Sequence, residues 1–261
     1  MPLRTERHDN VLVLVLDDPK RRNALSDELV ADIVRACEEA EHDDAIGALV
    51  VTGAPPAFCS GAVLGNLAAL GDDARDDARD DSHDTSSGLR DIYQGFLRVR
   101  DSRLPTVAAV NGPAVGAGFN LALACDVRIA AESARFDTRF LRLGLHPGGG
   151  HTWLLERAVG PQTAAAMVLF GEALDGRAAE RAGLAWRCVP DRELLDTAIA
   201  FAARASEVPR DLAAEAKASL REAPFLGSFD DAIRMELERQ VRSARAPEFA
   251  ARVAASRRRD R

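Results

Sequence analysis

Two glycine-bearing turns could hold a developing negative charge. Pro56-Ala57-Phe58-Cys59-Ser60-Gly61-Ala62 and Asn111-Gly112-Pro113-Ala114-Val115-Gly116-Ala117-Gly118 each follow an apolar run. Small residues after a buried strand let backbone N–H groups face a ligand, and a helix beginning at about Ala117 adds its positive end. Two such turns facing one another make an oxyanion hole; plain tight packing of strand against helix would use the same small residues. A dinucleotide-binding turn requires G-x-G-x-x-G, whereas the second turn has glycines at 112, 116 and 118. His146 and His151 flank Pro147-Gly148-Gly149-Gly150. As a histidine, a residue type used for general acid/base work, His146 is a candidate proton carrier, the alternative being a residue that caps or packs its loop. His151 is expected to be exposed, opening the helix that carries Trp153. Asp137 and Arg139 are expected to form a surface ion pair, with Arg139 reaching the site only if its segment shifts by one residue. Asp126 is expected to bond its turn into the next strand. Cys59, with no histidine beside it in sequence, is expected to be an unreactive thiol.

The frame that must position these groups alternates strands and helices. Val11 to Leu16, Ile46 to Thr52, Thr106 to Val110 and Val127 to Ala131 are short apolar runs of the kind buried on both faces of a parallel sheet. Ser26 predicts an N-cap, with Leu29, Val30, Ile33, Val34 and Cys37 following at helical spacing to about His42. Leu89, Ile92, Tyr93, Phe96 and Leu97 form a second helical stripe. Beyond residue 150 helical patterns dominate, at Thr152–Ala158, Pro161–Phe170, Arg177–Ala182, Glu193–Ala205, Asp211–Arg221, Asp230–Ala244 and a tail from Pro247, with one late strand at Leu184–Val189. This predicts an α/β chain: a core over 1–190 and a helical C-terminal region over 191–261.

The 261 residues carry 34 basic and 41 acidic side chains, a net charge of −7, which argues against a general nucleic-acid binder. From Asp72 to Asp91 there are eight aspartates and three arginines, so one segment makes the chain acidic. The stretch Gly71–Asp91 is expected to be a solvated, mobile loop, because its composition cannot bury enough surface to order itself. Its aspartates lack the register of a calcium loop, and no metal site is expected. The four cysteines form no C-x-x-C pair, and there is neither an apolar leader nor an eighteen-residue apolar run. A cytoplasmic chain with reduced thiols, and no membrane partner, is the expectation.

Five separated motifs carry a family resemblance. Arg22-Asn23-Ala24-Leu25, Phe58-Cys59-Ser60-Gly61-Ala62, Asn111-Gly112 through Gly116-Ala117-Gly118, Leu121-Ala122 to Cys125-Asp126, and Phe136 with Leu143-Gly144-Leu145 and Pro147 to Gly150 occur in the order and spacing of the enoyl-CoA hydratase/isomerase (crotonase) superfamily. The chain resembles that family from about Val11 to Val189. The resemblance implies a spiral of ββα units followed by helices used for trimerisation and for covering the ligand, hence a homotrimer or dimer of trimers. It implies a lyase or isomerase of fatty-acyl-CoA type acting on an acyl-CoA thioester, with coenzyme A as part of the substrate and no separate cofactor. By motif position the N–H groups of Ala62 and Ala117 would bind the thioester oxygen, and Arg22, Ala24, Ser60, Gly61, Ala62 and Leu64 would contact the CoA moiety. Val63 stands where the family often has aspartate. The two glutamates with which such hydratases hold and split water fall at Asn120 and Phe140, neither of which transfers a proton at neutral pH. The resemblance therefore implies an altered reaction, with His146 or ordered water moving the proton, or an acyl-CoA binding protein without chemistry. Divergent relatives place an acidic or phenolic group within a residue or two of His146, and the acidic loop would lie near the acyl pocket as a flap.

Overall fold

Val11, Val13 and Val15 face one way along their strand, and Leu14 and Leu16 face the other; both sets are buried. The same division holds for Ala48 and Val50 against Leu49 and Val51, and for Val107 and Ala109 against Ala108 and Val110. A strand without a polar face must be covered on both sides, and this sheet is. In the computed structural model, which describes residues 1–63 and 86–259, it has six strands. They are β1 (Leu3–His8), β2 (Val11–Leu16), β3 (Ala48–Gly53), β4 (Thr106–Val110), β6 (Val127–Ala131) and β9 (Arg187–Val189), in the order β1-β2-β3-β4-β6-β9. Only β1 runs antiparallel to its neighbour. Its sequence, LRTERH, buries Leu3 alone, so this edge strand carries no apolar signature.

A second, smaller sheet holds β5 (Pro113–Val115), β7 (Arg135–Asp137) and β8 (Leu174–Asp175). Isolated bridges Leu25–Ala62 and Cys59–Ala114 extend the same layer towards the start of the chain. Each turn of the chain thus gives one strand to the large sheet, one short extended segment to the small layer, and then a helix. The helices that follow are α1 (Asp27–His42), α2 (Ser86–Asp101), α3 (Ala117–Ala124) and α4 (His151–Leu169). This is the expected spiral of ββα units. Ser26 caps α1 as expected, its Oγ accepting from Leu29 N at 3.3 Å. In α4 the chain breaks at Gly160, φ 74° and ψ 168°, just before Pro161, where the two predicted helices were separated.

The main core lies between the two layers and α1, α2 and α3, with Phe58, Phe96, Phe119 and Phe136 fully buried. The other face of the large sheet is covered by α6 (Leu194–Ala205) through Leu194, Ala198 and Ala202, after the short α5 (Gly176–Arg181). Then come α7 (Arg210–Glu222), α8 (Phe229–Ala244) and α9 (Pro247–Arg259). Asp126 ties this region to the sheet. Its Oδ2 accepts from Thr106 N at 2.8 Å and from Thr106 Oγ1 at 2.9 Å, and lies 2.7 Å from Lys217 Nζ on α7. Asp126 is structural, as its position predicts, but its bonds go to β4, before its turn, rather than to the next strand, and it also anchors a helix ninety residues away. Leu64 and most of the acidic stretch, including the expected flap, lie outside the described residues. The loop expected to reach Asp91 ends earlier, because Ser86–Asp101 is helix α2.

Candidate active site

The two glycine turns meet. Cys59 N donates to Pro113 O at 3.1 Å and Val115 N to Cys59 O at 3.0 Å, which zips the first turn onto β5. Gly61 has φ +101°, and a Cβ there would lie 2.7 Å from Val115 O and 3.6 Å from Ala117 N. Gly118 is pressed so closely on the Cys59 carbonyl that a Cβ could not fit. Glycine at 61 therefore serves both conformation and space, and at 118 space alone.

The peptide planes at this junction fix where the amides point. Gly61 O accepts from Leu25 N at 2.8 Å, and in a trans peptide the next N–H points to the opposite side, so Ala62 N–H faces away from Leu25. Gly116 O accepts from Asn120 N at 3.0 Å, so Ala117 N–H projects from the N-terminus of α3, where helices leave donors unpaired. Ala117 is helical and has no positive φ, as a non-glycine residue there requires. Both alanines line one cavity of about 680 Å³.

Arg22, Ala24, Ser60 and Gly61 line that cavity, as do Asn120, Phe140 and His146. The Arg22 segment of this wall is held by Asn23, which is fully buried. Asn23 Nδ2 donates to Ala54 O and Ala57 O at 2.8 Å each and to Phe58 O at 3.3 Å, while its Oδ1 accepts from Asp18 N. Ser60 completes the tie, its Oγ donating to Arg21 O at 3.0 Å and its N to Arg22 O. In sequence Asn23 is one polar residue among several, and nothing local reveals that it clamps a loop thirty residues away.

Several expectations change. His151 is not exposed but 1% accessible, wedged edge-on between Phe119 and Phe140 with ring centroids 5.2 and 5.0 Å away. Helix periodicity marked the start of α4 correctly, but could not show that the first residue points inward. Asp137 and Arg139 do not form a plain surface pair. Asp137 is buried, accepting from Arg139 N, Nε and Nη2 at 3.0, 3.2 and 2.8 Å, and both residues line the cavity without any shift of register. Tyr93 lines it too, from the stripe of α2 that the sequence marked only as a packing face. Trp153 is absent from the lining; it stacks on Phe225 at 5.4 Å and 8°. Cys59 is buried, and burial pushes its thiol up to about 12, which leaves it unreactive.

His146 and His151 differ in setting. His146 is exposed at the cavity, and its Nδ1 donates to Pro147 O at 2.7 Å, leaving Nε2 as the bare nitrogen. Burial lowers the His151 pKa from 6.5 to about 4. A histidine that binds protons less readily when folded stabilises the fold fully above its unfolded pKa, and this contribution is lost as pH falls from 6.5 towards 4. Urea melts across that window should show a loss of about 3 kcal/mol, absent from His151→Gln. Equal pH slopes for the two proteins would contradict the burial of a neutral ring.

The sequence model of the family described as enoyl-CoA hydratase/isomerase matches residues 6–241. A Mycobacterium tuberculosis protein named a probable enoyl-CoA hydratase is 46% identical over 260 residues, covering 97% of this chain and 96% of that one. The 1,2-epoxyphenylacetyl-CoA isomerase of Escherichia coli is 37% identical over 190 residues, 72% of this chain and 70% of its own. The crystal structure of an enoyl-CoA hydratase from Polaromonas superposes with a TM-score of 0.87 at 28% identity, covering 97% of this chain and 95% of that one. Among the described residues no helix is long and apolar enough to cross a membrane. With its spiral of ββα units and its two facing turns, the chain belongs to the enoyl-CoA hydratase/isomerase family.

Proposed function

We propose that the cavity binds an acyl-CoA thioester, whose carbonyl oxygen accepts from Ala62 N–H and Ala117 N–H, and that the chain processes an enolate formed there. The observation that carries this reading is the juxtaposition of the two turns, with Gly61 against Val115 O and Ala117 N. Fixed backbone donors stabilise a developing oxyanion because they need no reorganisation as charge appears. Arg22, Ala24, Ser60 and Gly61 form the wall proposed to meet the CoA moiety, with Arg21 and Arg22 supplying charge opposite its phosphates. Coenzyme A enters as part of the substrate, with no separate cofactor in the mechanism.

Asn120 and Phe140 occupy the cavity where a two-glutamate hydratase would hold water, so the proton transfer proposed is not the two-glutamate mechanism. Asp137 is committed to Arg139. His146, with Nε2 bare, is proposed to take or return the proton, directly or through ordered water. Replacing it with glutamine should lower kcat about a hundredfold, with an unchanged rate removing it from the mechanism. Purified protein given crotonyl-CoA and longer enoyl-CoA thioesters should consume the conjugated double bond. The lack of a carboxylate at 120 and 140 also favours a second reading, an acyl-CoA binding protein without turnover; it predicts a raised melting temperature and an intact double bond. If no CoA thioester shifts melting or reacts, both readings fail.

A homotrimer or dimer of trimers is proposed as the assembly. Phe229, Ile233, Leu237 and Val241 recur every four residues along α8 and are exposed, an apolar stripe suited to a partner copy. The division of labour proposed for the chain is a ligand-binding core over 1–190 and a region over 191–261 that assembles copies and covers the ligand.

A further inference from the structure

Asn120 stands three residues after Ala117, so the two lie on one face of α3, and both line the cavity. Its amide is pinned from two sides. Nδ2 lies 3.0 Å from Gly148 O, and Oδ1 lies 2.6 Å from His151 Nδ1. A carbonyl only accepts, so the atom facing Gly148 is the NH2 group and the atom facing His151 is the oxygen. His151 Nδ1 therefore carries the hydrogen. A flipped amide would set two oxygens 3.0 Å apart and lose the bond to Gly148. The ring cannot easily turn, being packed edge-on by Phe119 and Phe140. Its Nε2 is buried without a partner among the described residues, a cost that the bond to Asn120 offsets only in part.

The consequence is a polarity. Asn120 is buried, 1% accessible, at the cavity wall; its Oδ1 is turned to His151, while Nδ2 keeps a second hydrogen for which no described residue is an acceptor. A glutamate here would accept a hydrogen bond from water; the pinned amide offers a donor instead.

We propose that His151 is a positioning residue that holds the Asn120 amide as a hydrogen-bond donor, and that this donor selects acyl groups bearing an acceptor oxygen on the carbons next to the thioester. A hydroxyl, oxo or ether oxygen satisfies the donor; a plain alkyl or alkenyl chain packed against it leaves it unmatched. The inference rests on the acyl-CoA reading and names its substrate class.

Equilibrium titration of the full chain with butyryl-CoA, 2-hydroxybutyryl-CoA and 3-hydroxybutyryl-CoA tests it. At least one hydroxyacyl thioester should bind about tenfold more tightly than butyryl-CoA, the ratio expected from one well-placed neutral hydrogen bond. The ratio should collapse to within about twofold in both Asn120→Leu and His151→Leu. It should return in His151→Gln, whose amide still donates to Asn120 Oδ1. A merely structural role for His151 would weaken all three ligands alike and keep the ratio. No preference in the unaltered protein, or a preference that survives Asn120→Leu, overturns the proposal, and the first arm decides even if a variant fails to fold. If butyryl-CoA and both hydroxyacyl thioesters all fail to bind, the acyl-CoA reading itself falls.

Discussion

Replacing Ala117 by proline should lower kcat on a CoA thioester about a thousandfold while leaving the fold in place. Ala117 is the first residue of α3, the one helical position where proline is favoured, because its missing N–H has no partner within the helix. The substitution removes the donor with little cost to the helix. A donor aimed at developing charge is worth roughly 3–4 kcal/mol in comparable oxyanion sites, far more than its contribution to ground-state binding. The ring also fills part of the space the oxygen would occupy, so KM should rise as well. Ala117→Ser keeps the N–H and serves as the control. Proline and serine variants of equal rate would show that the N–H of residue 117 takes no part, and would remove the main support of the enolate mechanism.

Asn23→Ala should cost about 4 kcal/mol of stability, read as a fall in melting temperature of roughly 10 °C. Asn23 is fully buried and satisfies three carbonyls while accepting from Asp18 N. Alanine leaves Asp18 N, Ala54 O and Phe58 O without these partners and Ala57 O with only a 3.5 Å bond from Asn111 Nδ2, and water cannot reach the buried acceptors at Ala57 and Phe58 without opening the turn. Conformation adds to this, since Asn23 has φ +57°, which asparagine tolerates better than alanine. Asn23→Gly should therefore recover about 1 kcal/mol relative to alanine. Because the clamp holds the Arg22–Ala24 wall against Ser60–Ala62, affinity for CoA thioesters should fall with stability. A melting temperature within 2–3 °C of the unaltered protein, the response to about 1 kcal/mol, would mean that the loop is held by Ser60 and packing instead.

Of the large sheet, β2, β3, β4 and β6 were readable because each is a largely apolar run, and the long helices because an amphipathic stripe and its cap are local features. Thr106–Val110 and Val127–Ala131 match residue for residue. The strands that escaped are those whose burial is not written locally: β1, a polar edge, and β5, β7 and β8, two or three residues each. Yet β5 and β7 bring the site together, since the pairing of Cys59 with Ala114 and of Pro113–Val115 with Arg135–Asp137 aligns three separate loops.

Residue types alone determined that two small-residue turns follow buried strands, that positions 120 and 140 carry no carboxylate, and that His146 sits in a glycine-rich loop beside them. What they could not determine is direction. Whether an N–H faces a cavity depends on where its own peptide carbonyl bonds, at Leu25 for one turn and Asn120 for the other, and the first of those partners is more than thirty residues away. Whether a histidine at a helix start meets solvent depends on which helices pack over it. His151 reads as a surface residue along the chain and becomes a buried partner of Asn120 only when α4 closes on α3. Hydrogen-bond partners distant in sequence set the chemistry of this site, and only the folded chain brings them within reach.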